Sequence, residues 1–172
     1  MPPNTHRPLV AQGVLDFWGR YYFYFKELMF DFFFLPTYLS CFRTSPRLRI
    51  VTATMAAAFL GNLYYHFLRD QPSLGFVPPA KMLALMAPRA VYTLLLGLGL
   101  SASMLRERGR RGREEAPVSA TLARLRQVRR VAFVWLFYAL IHLWVAGPWG
   151  ISIGQRGAFF LALFGLRWPS HG

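Results

Sequence analysis

Apolar side chains gather into four long stretches along the chain, separated by proline, glycine and arginine, with a shorter apolar piece near the end. The first, residues 17–42, reads FWGRYYFYFKELMFDFFFLPTYLSCF. It is aromatic throughout, yet Arg20, Lys26, Glu27 and Asp31 interrupt it. Each such charge would cost about 2.5–3.5 kcal/mol at the centre of a lipid-facing helix. The pattern therefore predicts an in-plane or re-entrant helix ending near Pro36, with its rings at headgroup depth. Residues 48–68, LRIVTATMAAAFLGNLYYHFL, predict the first good span. The small residues Thr52, Ala53, Thr54, Ala56, Ala57, Ala58 and Gly61 along its middle would let another helix approach closely. A second span, 82–104, contains Pro88, which should kink it, and Arg89, which needs a partner or an interface. A third runs from about 129 to 146, whereas GAFFLALFGL at 157–166 is too short to cross a bilayer alone.

These elements predict an all-α fold, a polytopic membrane helix bundle whose N-terminal amphipathic helix lies in-plane or re-entrant. Composition agrees: 55% of residues are apolar and only 16% charged, against roughly 25% charged in soluble domains. The net charge of +13 has to be read by position. Residues 105–130 hold nine arginines against three glutamates, and Arg43, Arg47 and Arg49 precede the first span. Two oppositely directed spans put both basic sites on one face, which the positive-inside rule makes cytoplasmic. The loop between them, 69–81, has only Arg69, Asp70 and Lys81, as an outer loop should. Nucleic-acid binding is set aside because RERGRRGREE carries no interleaved aromatic stacking surface, and anionic lipid is the expected secondary contact. Cys41 stands alone, which excludes an internal disulfide and any zinc or redox cysteine pattern. The opening MPPNTHRPLVAQGVLDFW is polar and proline-bearing where a signal peptide has its apolar core, so the spans themselves are expected to direct insertion. There is no internal repeat and no Gly-rich phosphate loop, and the four histidines are too scattered for a metal site. The whole chain, 1–172, reads as a single membrane domain, with a basic cytoplasmic linker at 105–128 and C-terminal hydrophobic helices at 129–172.

Two places break the rules of lipid-facing sequence. Arg20, Glu27 and Asp31 are separated by seven and four residues and so share one helical face, which must point into protein or water or be settled by mutual pairing. The other is His66, in GNLYYHFLRD. A neutral imidazole, with an unperturbed pKa near 6.5, can take a proton from a hydroxyl, although a lone histidine near a helix end is also a common structural group. His142, in YALIHLW, raises the same alternatives, while His6 and His171 sit in polar terminal segments expected to be solvated.

The segments FWGRYYFYFKELMFDFFFLP and PRLRIVTATMAAAFLGNLYYHFL together resemble the core signature of the membrane-bound O-acyltransferase family, which includes bacterial members that acetylate alginate or attach D-alanine to teichoic acids. In that family a Phe-Trp-Arg-Arg-Trp opening leads through an Arg-Asp-Tyr stretch to a proline, then a short basic loop, then a helix ending in Trp-His-Gly. Phe17, Trp18, Arg20, Asp31 and Pro36 match that pattern without a gap, and His66 falls where the family has its catalytic histidine. Gly19, Tyr21 and Phe30 depart from it, and Trp-His-Gly reads Tyr65, His66, Phe67, which suggests a divergent branch. The resemblance covers about residues 10–70; family members are considerably longer, so the chain resembles the C-terminal part of such an enzyme, as a fragment or a reduced relative.

The resemblance implies O-acyl transfer from a thioester, acyl-CoA or an acyl-carrier protein acting as co-substrate, to a hydroxyl of a cell-envelope glycan. No tightly bound cofactor or metal is implied. His66 would be the general base, Asn62 one turn earlier would orient its ring or the substrate, and Arg20, Asp31 and Trp18 would support the site. The implied setting is the bacterial cytoplasmic membrane, with lipids, the acyl donor, the acceptor and other membrane or periplasmic subunits as partners. The rival reading is a non-catalytic, partner-binding module that keeps the signature but lacks enough helices to enclose a tunnel; a small transporter would explain the charges but not their spacing. Measured from Leu48, His66 lies about 27 Å along a straight helix, near the outer interface. A kinked or tilted helix, or a funnel from the outer side, would be needed to reach it.

Overall fold

A computed structural model of the protein describes residues 7–21, 23–74, 77–110, 119–145 and 152–162, and every regular element among them is helical. His6, His171, the linker core at 111–118 and the end of the last apolar piece at 163–166 lie outside the described residues. After a short 3-10 turn, Pro8–Val10, the aromatic segment forms α1 (Val14–Tyr21), α2 (Phe23–Met29), a π-helical turn (Phe30–Phe34) and α3 (Leu35–Ser40). Pro36, expected to end this helix, instead sits in the first turn of α3, just past the π turn. The absent N–H of a proline is harmless in a first turn, and a π turn re-registers the ladder ahead of it.

The first expected span is α4 (Pro46–Met55), a second π segment (Ala56–Gly61) and α5 (Asn62–Leu74), which follow one another without an intervening loop. The helix thus carries on through Arg69 and Asp70, which the sequence pattern assigned to an outer loop. Arg49 stacks on the Tyr38 ring at 3.9 Å and donates to the Tyr38 carbonyl, so one of the basic residues before this span ties α4 to α3. The second expected span is α6 (Pro79–Arg110), continuous through Pro88 and longer at both ends than the apolar run. It is the one helix among the described residues long and apolar enough to cross a membrane by length and composition. The third is α7 (Ala120–His142), capped by the Ser119 side chain accepting from the Leu122 N–H. It begins inside the basic stretch and so carries Arg124, Arg126, Arg129 and Arg130, four of the arginines assigned to a linker. A short α8 (Ile153–Ala162) follows.

The α4–α5 pair runs antiparallel to α6. Thr54 Oγ1 meets Met104 Sδ at 3.0 Å, the His66 ring meets the Tyr92 ring, and Asp70 pairs with Arg89, so residue numbers fall on one helix as they rise on the other. Two consequences follow. By the same register Leu48 lies opposite Arg110, which puts Arg47 and Arg49 at the arginine-rich end of α6, as the charge pattern required. His66 stands at the level of Tyr92, about 17 Å from Lys81 and about 21 Å from Arg106 along α6 at 1.5 Å per residue. That is the middle of the apolar run of α6. The count from Leu48 overstated the offset because it starts beyond that run, four residues past Arg106.

The core lies where α1, α6 and α7 meet. Phe17 is 5% exposed, tilted against the Tyr138 ring at 4.1 Å, edge-on to Trp135 at 5.7 Å and stacked with Tyr21 at 5.5 Å. Tyr138 donates its hydroxyl to the Val14 carbonyl at 2.9 Å, so the aromatic contact is locked by a buried hydrogen bond. Leu96 of α6 and Val134 of α7 are fully buried behind it.

Candidate functional site

Asn62, His66 and Asp70 recur at four-residue intervals on α5, and a helix turns so that such residues line one face. All three are buried, at 3%, 6% and 8% exposure. His66 and Asp70 face the stretch of α6 from Arg89 to Tyr92. Asp70 forms an ion pair with Arg89 at 2.5 Å and a second with Arg69 at 3.0 Å. The partner that Arg89 needed is thus Asp70, the single acidic side chain of the supposed outer loop. Thr93, fully buried, returns its hydroxyl to the Arg89 and Ala90 carbonyls at 2.9 and 3.2 Å.

The two candidate bases share a neighbour. His66 is edge-on to Tyr92, 5.8 Å between ring centroids, and His142 contacts the same tyrosine ring at 5.3 Å. Their own hydrogen bonding differs. His142 donates from Nδ1 to the Tyr138 carbonyl at 2.7 Å, which assigns its proton to that nitrogen and leaves Nε2 as the acceptor. His66 Nδ1 is buried and has no hydrogen-bond partner among the described residues. Asn62 shares its helical face, one turn earlier, and is buried beside it.

The remaining sequence candidates lie elsewhere. Arg20 pairs with Asp16 at 2.5 Å, both side chains about one-third exposed, and does not join Glu27 and Asp31. The shared face assumed one regular α-helix; Asp31 lies in a π turn, which changes the angular register. Trp18, Glu27 and Asp31 do come together, around a cavity of about 580 Å³ floored by Ala57, Ala58 and Leu100. Neither His66 nor Asn62 lines it. The structure therefore divides the expected site in two: a histidine-centred polar cluster at the middle of α6, and an apolar cavity toward its arginine-rich end, beside Thr54 and Met104.

Sequence reasoning missed Asp70, Tyr92 and Arg156 as members of the cluster. The first had a legible signal, since it falls one turn after His66 and is the lone acid near Arg89. Tyr92 and Arg156 had none, because only the packing of α6, α7 and α8 brings them in. Comparison with protein-family models, with curated proteins and with solved structures returns no match for this chain.

Proposed function

We propose that the chain is a multi-pass membrane protein in which His66 acts as the general base of O-acyl transfer, from a thioester donor to a hydroxyl of a cell-envelope glycan. The observation that carries the reading is His66 itself: buried at mid-length of an apolar helix pair, with one ring nitrogen unengaged, beside a phenol that a second imidazole also contacts. Apolar walls there would exclude the water that competes for a thioester, while the imidazole takes the hydroxyl proton as the oxygen attacks the acyl carbon, the C–S bond breaks, and the proton passes on to the departing thiolate, which leaves as the thiol. The acyl-transfer part rests on the spacing of Phe17, Trp18, Arg20, Asp31, Pro36 and His66. The membrane part is supported by α6 and by large apolar side chains left outside, such as Leu83 at 73%, Leu125 at 65% and Phe133 at 58% exposure. The shared arginine-rich end of α4 and α6 supports a cytoplasmic location for the 105–130 loop.

A second reading has its own observation. The cavity is separate from His66, and nothing among the described residues orients the His66 ring through Nδ1. Both fit a non-catalytic module whose active site is absent, or is completed by helices from another subunit.

One assay separates them. The purified chain, alone and together with neighbouring membrane subunits, is given labelled acyl-CoA, and the parent is compared with His66→Ala and His142→Ala. Loss of a general base is expected to lower transfer by about 10²-fold or more in His66→Ala, with His142→Ala much less affected. Equal transfer by the parent and His66→Ala ends the catalytic assignment; no transfer by any preparation favours the module.

A further inference from the structure

The two π segments meet, and both line the cavity of about 580 Å³. The first supplies Phe30, Asp31 and Phe34, and the second supplies Ala57 and Ala58. Gly61 lets them close: a Cβ there would lie 2.8 Å from both Met29 Sδ and the Phe33 ring. Such π turns are rare in helices and recur at functional sites. Here the short alanine side chains leave the floor open, while Trp18 and the stacked rings of Phe30 and Phe34, 5.0 Å apart, form apolar walls. The volume falls within the range of about 300–1,000 Å³ typical of small-molecule sites. On α6 the cavity reaches from Leu100 to Met104, and Met104 lies about 3 Å along the helix from Arg106. In a bilayer that is the boundary between acyl chains and headgroups on the arginine-rich side.

The charge at this cavity is opposite to that of the chain as a whole. Against a net +13, the lining carries Glu27 and Asp31 with a single cation, Lys26. The two carboxylates are exposed and one turn apart, and among the described residues neither forms an ion pair or a hydrogen bond. Lys26 does not neutralise them, since its ammonium lies over the Phe23 ring at 4.8 Å. Ionisable groups at membrane depth are expensive and call for a partner.

We propose that the cavity takes one acyl chain of an ethanolamine phospholipid, whose ammonium sits on Glu27 and Asp31 and whose phosphate faces Lys26. The apolar walls suit the chain. A primary ammonium has three N–H donors, enough to reach both carboxylates through charge-assisted hydrogen bonds. A choline head has no N–H to donate, and a glycerol head brings a phosphate charge to two carboxylates without a cation. The arginines at this end of the bundle do not line the cavity and so do not turn it into an anion site. The proposal rests on the membrane setting of α6 and not on acyl transfer, so its failure would leave the His66 assay untouched.

The test incubates the full chain with mixed micelles holding equal amounts of phosphatidylethanolamine, phosphatidylcholine and phosphatidylglycerol of the same acyl chains, and reads the retained lipid by native mass spectrometry. One ethanolamine lipid per chain is expected, enriched about tenfold over each of the others. Glu27→Gln combined with Asp31→Asn should return retention to the mixing ratio. Both carboxylates are exposed, so this variant tests recognition with the fold intact. Ala57→Phe, which fills the floor and leaves the charges in place, should lower retention of all three lipids. Asp16→Asn, an acid outside the cavity, should behave like the parent. Equal retention of the three lipids by the parent, no retention, or a preference for the choline or glycerol head overturns the proposal. So does an ethanolamine preference that survives the double variant or Ala57→Phe, or one lost equally in Asp16→Asn.

Discussion

Asp70→Asn is expected to destabilise the protein by about 3–5 kcal/mol, the usual cost of removing one partner from a buried ion pair. Asparagine keeps the shape of the side chain and can still accept a hydrogen bond, so little is lost in packing. What is lost is the carboxylate charge that pairs with Arg89, whose side chain is 12% exposed, while Arg156 adds its repulsion. The Asp16–Arg20 pair provides the internal control. Its side chains are 36% and 33% exposed, and Asp16→Asn should cost less than about 1 kcal/mol. Equilibrium unfolding in mixed micelles of increasing SDS content measures both. Similar shifts for the two variants would mean that the Asp70–Arg89 pair is solvated and that the polar cluster is not a buried unit. Conversely, replacing the pair together, Asp70→Leu with Arg89→Met, should recover much of the loss, since an apolar pair of similar volume removes the uncompensated charge.

The second large effect belongs to the aromatic junction. Phe17→Ala should cost about 3–5 kcal/mol, as truncation of a buried phenylalanine does when its surroundings cannot collapse into the gap. Collapse is hindered here because the walls are themselves large rings, Tyr21, Trp135 and Tyr138, contributed by α1 and α7. The Tyr138 to Val14 hydrogen bond spans the same junction and should loosen with it, which hydrogen exchange in α1 would report. Phe32→Ala, at a ring 70% exposed, is expected to stay within about 0.5 kcal/mol in the same unfolding assay. Comparable losses from both would place the stabilising contacts of the N-terminal segment somewhere other than Phe17. This packing role also gives the first residue of the Phe-Trp motif a physical reason to be aromatic without any chemistry.

The helices were legible because their apolar runs were long, and the helical class followed from run length; the antiparallel packing of α4–α5 on α6 is the arrangement under which the arginines share one end. Boundaries were less legible, for a common reason. Polar residues ended each expected span, but Arg69, Asp70, Arg124 and Arg126 continue their helices, because a helix can carry charge on a face turned to a partner or to water. Pro36 misled in the same way, being absorbed in a first turn after a π segment, while Pro88 sits inside α6 without ending it. His66 and Asn62 were found from the sequence as a helical stripe. Their partners across the bundle could not be, since Tyr92, His142 and Arg156 come from helices whose rotation about their axes is fixed by packing alone. Arg20 turned out to pair with Asp16, one turn earlier, while Glu27 and Asp31 line a cavity together; the π turn that begins at Phe30 also departs from the 3.6-residue period on which spacing arguments rest.

The central claim is that His66 and its polar neighbours sit at the middle of a membrane-crossing helix pair. Spin labels test it on α6 itself, in a Cys41→Ser background, at the outward positions Leu83→Cys, Leu94→Cys and Leu98→Cys, with Arg106→Cys at the basic end. In lipid bilayers, accessibility to oxygen relative to a water-soluble nickel chelate should peak at residue 94, two residues from Tyr92, and fall toward 83 and 106. High accessibility to the nickel chelate at all four positions, with no maximum, would make α6 the core helix of a water-exposed protein and contradict the account.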